Sequence, residues 1–210
     1  MLPLRLHSVR RDTSVVVCIP SIRDRLEACP TLRAAPHPRM KSRVRILAID
    51  PSLRSCGFAV LEKSGGKVRA LDYGVVKNHP KLLQSGCLVA IRDRIAAVIA
   101  QHSPECAVFE GVIFVQSHRT AITLGAARGA ALVAAAERGL PIYEYAPRRV
   151  KQSVVGRGGA QKQQVGFMVR VLLGLSETPP PDAADALAVG LTHFQCAESA
   201  RHGAVILEQI

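Results

Sequence analysis

A length of 210 residues suits one domain of ordinary size together with a tail, and it is too short for two large domains. Hydrophobic residues make up 48% and charged residues 21%, so wholesale disorder is not expected, and no apolar run approaches the roughly 18–20 residues of a membrane span. The formal charge of +12 is typical of a chain that binds a polyanion, either nucleic acid or an anionic membrane surface.

The first 42 residues differ in composition from the rest. Residues 1–39 carry seven arginines and five of the 13 prolines, and their longest apolar run is too short for a secretory signal. We interpret residues 1–42 as a basic, disordered N-terminal extension, or as the result of a start codon assigned upstream of Met40. A transit peptide is the alternative, although the pattern for it is weak.

Three strands in a row are predicted at the start of the folded region. The apolar run Val44–Ile49 ends at an Asp-Pro pair, and a Ser-Gly-Gly turn separates the strands Gly57–Leu61 and Val68–Val76. Helical spacing follows over Leu82–Gln101, and a Ser-Pro pair then precedes a fourth strand, Cys106–Glu110.

Helices dominate the second half of the predicted domain. The elements in chain order are an Ala-rich helix at Ala121–Glu137, a fifth strand at Leu140–Tyr145, and helices at Arg148–Val154, Lys162–Leu173 and Asp182–Gln195. Strands followed by alternating helices and strands indicate an α/β domain with a mixed five-stranded sheet flanked by helices. We expect this domain to span residues 43–195 and a C-terminal tail to span residues 196–210.

Four carboxylates stand in apolar surroundings, where a charge is costly. Asp50 and Glu110 each end a hydrophobic strand, and Asp182 and Asp185 lie three residues apart on one face of the last helix. Simpler interpretations stay open: an Asx turn for Asp50, a strand that emerges into solvent for Glu110, and a helix cap for Asp182. Asp185 is flanked by small apolar residues, so we expect it to face packed structure.

These four side chains offer oxygen ligands from three separate elements. Oxygen-only ligation without Cys or His favours Mg²⁺ or Mn²⁺ over zinc. Two such ions roughly 3.5–4 Å apart would bind the attacking and the leaving oxygen of a phosphodiester during hydrolysis. The predicted metal ligands and catalytic residues of this nuclease site are Asp50, Glu110, Asp182 and Asp185.

Several segments together resemble one known family. They are ILAIDPSLRSCGFAVL, AVFEGV, TLGAARGAALVAAAERGLPIYEYAPRRVKQSVVGRGGAQKQQV and DAADALAVGLTH, which are similar in content and order to the RuvC family of Holliday-junction resolvases. The resemblance runs from about Arg43 to His193. It implies an RNase-H-like fold, a homodimer and Mg²⁺-dependent symmetrical nicking of four-way DNA junctions in recombination and repair. The four catalytic acids of that family fall on the quartet derived above.

The sequence departs from the family pattern at two places. Ser52 stands where the family usually has a glycine after Asp-Pro. Ile113 stands where the family has an aromatic residue that wedges into the junction centre, and Phe114 follows one position later. Phe114 is the candidate replacement for the wedge, and a core phenylalanine is the alternative. The resemblance also implies a cytoplasmic protein that works with the RuvA–RuvB branch-migration complex.

Basic residues without acidic neighbours follow the fifth predicted strand. No Asp or Glu lies between Tyr145 and Ser176, and nearby glycines would let the backbone approach phosphates. A solvated basic face is the simpler interpretation. The candidate DNA-binding residues are Arg119, Arg128, Arg148, Lys151, Lys162 and Phe114. The resemblance implies DNA-contacting or transition-state-supporting roles for Lys151 and Lys162 and a DNA contact for Arg128.

Other features of the chain fit structural roles. The Ala-rich helix at Ala121–Glu137 is a candidate dimer interface, with close packing on the sheet as an equal alternative. We expect His118 and His193 to be solvent-facing or helix-terminal. The six cysteines include no CxxC pair, so buried thiols in a reduced compartment are expected, with Cys56 and Cys106 as packing residues.

Two alternatives to a junction-cleaving enzyme remain at this point. One is an RNase-H-like nuclease with a different substrate, such as an RNA–DNA hybrid, and the other is a junction-binding module without catalysis. No GxxxxGK[ST] or GxGxxG motif is present, so we do not expect the chain to use ATP.

Overall fold

Five strands form one mixed sheet in the order β3-β2-β1-β4-β5. The strands are β1 (Arg43–Asp50), β2 (Ser55–Ser64), β3 (Lys67–Lys77), β4 (Cys106–Glu110) and β5 (Ile142–Tyr145). β1, β2 and β3 form an antiparallel meander, whereas β4 pairs parallel with β1 and β5 pairs parallel with β4. This arrangement confirms the predicted α/β domain with a mixed five-stranded sheet.

The structure is a computed structural model that describes residues 43–112, 117–201 and 209–210, without the side chain of Arg201. The predicted extension at residues 1–42 and the candidate wedge residues Ile113 and Phe114 therefore lie outside the described residues. None of the helices in the described part combines the length and the hydropathy of a membrane-spanning segment.

In the described part of the chain, five helices cover the two faces of the sheet. They are α1 (Gln84–His102), α2 (His118–Ala136), α3 (Pro147–Val155), α4 (Lys162–Leu173) and α5 (Pro181–Arg201). α1 and α2 pack together on one face, whereas α5 crosses the other face and packs against α3 and α4. α5 continues six residues past its predicted end at Gln195, because no Gly or Pro interrupts residues 196–201.

Alternation along the strands divides the core into two layers. In β1, Ile46 and Ala48 join the apolar cluster of α5, whereas Leu47 and Ile49 join the cluster of α1 and α2. Because successive strand residues point to opposite faces, Asp50 continues the set that faces α5. In β4 the same parity places Glu110 with Cys106 and Val108, so both strand-end carboxylates lie on the α5 side.

Small residues let α5 lie close to the sheet. A Cβ on Gly190 would lie 2.5 Å from Leu61 Cδ1, and a Cβ on Gly57 would lie 2.0 Å from the carbonyl oxygen of Asp182. Glycine is therefore required where the helix meets the strand from either side. The second contact fixes the start of α5 beside the carboxyl end of β1, since Gly57 pairs with Asp50.

The two histidines have different surroundings. His118 is exposed and opens α2, which confirms the prediction for it. The same prediction is wrong for His193, which is 6% exposed and lies within α5, where its Nδ1 is 2.9 Å from the Tyr145 hydroxyl. Burial lowers the pKa of His193 to about 4, so the ring is neutral at pH 7. A tertiary hydrogen bond makes this burial tolerable.

The cysteines of the described region are free and buried. Burial raises the pKa of Cys56 and of Cys106 to about 12, so both thiols stay protonated at neutral pH. These two residues therefore act in packing, as the sequence predicts.

Candidate active site

Two strand-end carboxylates form the base of the site. β1 and β4 are parallel neighbours, so Asp50 and Glu110 leave the sheet side by side and on the same face. Burial, together with the charges of Glu110 and Asp185, raises the pKa of Asp50 from 3.8 to about 8. Burial and the charge of Asp185 also raise the pKa of Glu110, and a hydrogen bond with Asp50 opposes that rise.

The first turn of α5 supplies the other two carboxylates. Pro181 opens the helix, and Asp182 and Asp185 then lie on the face that meets the sheet. Asp50, Asp182 and Asp185 each present one carboxylate oxygen, and these three oxygens lie within 4.8 Å of one another. The predicted convergence of two elements that are distant in the sequence is therefore observed.

Glu110 lies beside this three-carboxylate group rather than within it. Its side chain lines the same cleft as Asp50, Asp185 and Lys162, but its oxygens are not part of the 4.8 Å group. The fourth predicted acid is thus close enough to raise the pKa of Asp50 by charge repulsion. Glu110 therefore borders the group at Asp50, whereas Asp50, Asp182 and Asp185 present oxygens within 4.8 Å of one another.

The donor set fits a divalent cation. Three half-buried carboxylates offer only hard oxygen atoms, which Mg²⁺ and Mn²⁺ prefer. Packing like charges in a partly desolvated site is unfavourable, as the raised pKa of Asp50 shows. A bound cation would remove that repulsion, so the residues present match what a divalent metal requires.

One lysine partly offsets the negative charge. Lys162 Nζ, at the first residue of α4, donates a hydrogen bond of 2.9 Å to Asp185 Oδ2. This hydrogen bond raises the pKa of Lys162, so the ammonium group stays charged at neutral pH. The Lys162 side chain is 69% exposed, which leaves it accessible to an anionic substrate.

A cleft of about 510 Å³ opens beside Asp50 and Glu110. Arg148 and Lys151 of α3 line it, and Gly158 lies so close to Arg148 that a Cβ would be 2.7 Å from Arg148 Cγ. The basic wall predicted from the segment after β5 therefore stands next to the carboxylates. Cations on one wall and acids on the floor suit a phosphodiester backbone that is bound together with metal ions.

The two predicted arginines of α2 lie apart from this cleft wall. Arg119 is exposed near the start of the helix. Arg128 pairs with Glu144 of β5, and its guanidinium lies 5.9 Å from the centre of the Phe109 ring. The positive charge of Arg128 is therefore already balanced within the protein.

Sequence reasoning missed two residues beneath α5. Ser55 donates a hydrogen bond from its hydroxyl to Asp182 Oδ2, and Gly57 contacts the Asp182 backbone. Alternation along β2 could have placed both residues on one face. The sequence gives no signal, however, that the start of α5 would rest on that face.

The matching family model and two curated relatives agree on one family. Residues 46–193 match the family model described as "Crossover junction endodeoxyribonuclease RuvC". A protein of that name from Akkermansia muciniphila is 56% identical over 155 residues, which cover 74% of this chain and 93% of that protein. A second, from Heliobacterium modesticaldum, is 45% identical over 159 residues, which cover 75% of this chain and 96% of that protein.

A solved structure extends the similarity to three dimensions. "T. thermophilus RuvC in complex with Holliday junction substrate" is 38% identical to this chain and superimposes with a TM-score of 0.71. The match covers 80% of this chain and 99% of that one.

Proposed function

Because the chain belongs to the RuvC family of crossover junction endodeoxyribonucleases, we propose that the carboxylates of Asp50, Glu110, Asp182 and Asp185 are its nuclease centre and hold two Mg²⁺ ions. The chain has the RNase-H-like fold of that family and is a Holliday-junction resolvase of recombination and repair. The observation that carries the proposal is the meeting of three carboxylate oxygens within 4.8 Å.

The acidic and the basic residues of the site have different proposed roles. Asp50, Asp182 and Asp185 would hold the cations, and Glu110 would complete the ligand set from the edge of the cleft. Bound Mg²⁺, or Mn²⁺ in its place, supplies Lewis-acid stabilisation of the charge that develops during phosphodiester hydrolysis. Lys162 and Lys151 add positive charge beside the same cleft, where they would stabilise the scissile phosphate.

The DNA-binding surface is assigned to the basic residues around the cleft. Arg148 and Lys151 line the cleft itself, Lys162 borders the carboxylates, and Arg119 is exposed on α2. These side chains would bind phosphates of the junction arms without reading base sequence. Arg128 would join them only by leaving Glu144, and Phe114 stays a candidate for the junction wedge.

The active unit is a homodimer in this proposal, since two symmetrical nicks need two active sites related by a two-fold axis. α2 supports a dimer because its two sides differ. Ala127 and Ala131 are fully buried against the protein, whereas Ile122 is 71% exposed and Val133 is 50% exposed. The space beside Gly129, between these two exposed residues, is open, so a second helix could approach closely.

The remaining assignments follow the family. We place the nuclease domain at residues 43–201, after a basic extension at residues 1–42, because α5 runs to Arg201 and Cys196 is buried in the α5 cluster. The C-terminal tail predicted at residues 196–210 is shortened accordingly. The RuvA–RuvB branch-migration complex is the proposed partner, and the cytoplasm is the proposed location. The free, buried thiols of the described region are compatible with a reducing compartment.

A cleavage assay on a synthetic four-way junction tests the metal-dependent centre. Cleavage should require Mg²⁺ or Mn²⁺ and stop in EDTA, and Asp50→Asn should abolish it while junction binding persists. Asp93→Asn, a matched change at an exposed position of α1, should cleave like the wild type. Efficient cleavage in EDTA, or by Asp50→Asn, would overturn the metal assignment. Equal cleavage of a competing RNA–DNA hybrid would contradict junction selectivity.

A further inference from the structure

The first turn of α5 rests on two residues of β2. Ser55 and Gly57 share the strand face that continues into Ala59 and Leu61, which pack in the α5 cluster. A Cβ at Gly57 would lie 2.0 Å from the Asp182 carbonyl oxygen, so the helix backbone sits directly on the strand there. This contact brings the Asp182 side chain over Ser55.

Ser55 makes a direct hydrogen bond to the carboxylate group that this contact places above it. The Ser55 hydroxyl donates to Asp182 Oδ2, across 127 positions of the chain. Asp182 also supplies one of the three oxygens that lie within 4.8 Å of one another. A hydrogen bond to one oxygen restricts rotation of the carboxylate, so the ligand geometry is set before a metal ion arrives.

Two acids of the centre accept hydrogen bonds from different kinds of side chain. Lys162 holds Asp185 through a charged and exposed side chain, which is also placed to meet substrate. Ser55 holds Asp182 through a neutral hydroxyl on a strand. Loss of Ser55 would therefore change the order of one ligand without changing the charge of the cleft.

We propose that Ser55 is a positioning residue of the metal centre, which acts through Asp182 and is enabled by the close contact at Gly57. The inference rests on the proposed function, because it requires Asp182 to be a metal ligand. Ser55 itself touches neither substrate nor metal in this proposal. Its contribution is to the affinity for the divalent ion rather than to a chemical step.

A pair of isosteric variants isolates the hydroxyl. Ser55→Thr keeps the donor and Ser55→Val removes it, and both β-branched residues favour a strand, so both variants should fold. Ser55→Ala also removes the hydroxyl and changes the side-chain volume less than Ser55→Val does. Ser64→Ala removes a hydroxyl from the other end of the same strand, about 30 Å away at the rise of a β-strand, and serves as the control.

Isothermal titration of each protein with Mn²⁺, in the absence of DNA, gives the direct readout. Outer ligand supports typically change metal affinity by about 10- to 100-fold, so we expect Ser55→Val and Ser55→Ala to bind Mn²⁺ about tenfold more weakly. Ser55→Thr should stay within about threefold of the wild type, because it retains the donor. In junction cleavage, the half-saturating Mg²⁺ concentration should shift by the same factor, with a smaller change in the rate at saturating Mg²⁺.

The outcomes separate this inference from the proposed function. Wild-type affinity for Mn²⁺ in Ser55→Val and Ser55→Ala would overturn the role of Ser55 and leave the metal centre intact. An equal loss in Ser55→Thr and Ser55→Val would also overturn it, since bulk rather than the hydroxyl would then matter. Failure of the wild type to bind Mn²⁺ would overturn the metal centre and this inference with it.

Discussion

The first turn and the middle of α5 differ in how their polar groups are accommodated: the first turn gathers carboxylates, and the middle buries a neutral ring. At the first turn, Asp182 and Asp185 lie close to Asp50, and burial together with the charges of Glu110 and Asp185 raises the pKa of Asp50 to about 8. In the middle, His193 is buried as a neutral ring with the Tyr145 hydroxyl as partner. One helix therefore carries a polar group whose burial is stabilised by a hydrogen bond and a group of carboxylates whose repulsion a proton or a bound cation would relieve. Carboxylates gathered at a cost in stability are typical of functional sites, so this contrast favours the first turn of α5 as the catalytic region.

The largest effect is expected at the first turn, on activity. Asp185→Asn should slow junction cleavage by about 10³-fold or more, because a neutral amide holds a divalent cation poorly and several kcal/mol of charge stabilisation are lost. Single-turnover cleavage of a labelled four-way junction measures this rate. Melting temperature in EDTA should not fall, since the substitution removes repulsion. A cleavage rate within tenfold of the wild type would show that Asp185 is not a ligand.

At Leu187, two residues after Asp185 in α5, we expect a substitution to lower stability rather than activity. Leu187 is fully buried in the α5 cluster, so Leu187→Ala should cost about 2–5 kcal/mol of unfolding free energy. Urea denaturation of the variant and the wild type in the same buffer measures this loss. The folded fraction should cleave junctions at a nearly normal rate. A cost below about 1 kcal/mol would indicate that the cluster does not hold α5 on the sheet.

The pH dependence of the metal-free protein sharpens the comparison at the first turn. The pKa of Asp50 is raised from 3.8 to about 8 by folding, so the folded state keeps a proton that the unfolded state releases. This contribution to stability is complete below pH 4 and is lost as the pH rises through about 8. The melting temperature in EDTA should therefore fall by several degrees between pH 6 and pH 9. Asp50→Asn should reduce this fall, and an unchanged slope would contradict the charge cluster.

In the middle of α5, the contribution of His193 to stability should depend on pH in the opposite direction, and the change should be smaller. Burial lowers the pKa of His193 from 6.5 to about 4, so the unfolded state binds the extra proton. The stability that the neutral ring contributes is complete above pH 6.5 and is lost as the pH falls through about 4. Melting curves of wild type and His193→Gln between pH 7 and pH 4 isolate this component. If the melting temperatures of the wild type and His193→Gln fell equally between pH 7 and pH 4, His193 would not bind a proton on unfolding.

The four acids could be predicted from the sequence because each breaks a local pattern. Asp50 and Glu110 end apolar strands with the same parity as the residues that face α5, and Asp182 and Asp185 follow a proline that opens a helix. Such patterns are local, so they can be recognised in the sequence without knowledge of tertiary contacts. The mixed sheet followed from the same kind of evidence.

The partners of these acids could not be predicted, because they depend on where distant elements meet. Ser55 reads as an ordinary residue at the start of a strand, and only the position of α5 makes it a partner of Asp182. The burial of His193 likewise depends on the Tyr145 hydroxyl, which arrives from β5. Arg128 reads as a free cation until β5 brings Glu144 beside it.

Direct binding of Mn²⁺ to the protein without DNA tests the central claim most directly. Electron paramagnetic resonance counts free Mn²⁺ during a titration at pH 8.5, where most Asp50 carboxyls are ionised. The wild type should remove Mn²⁺ from solution in a saturable manner, and Asp50→Asn should do so at least tenfold more weakly. Equal uptake of Mn²⁺ by the wild type and Asp50→Asn would contradict a cation site built on these carboxylates.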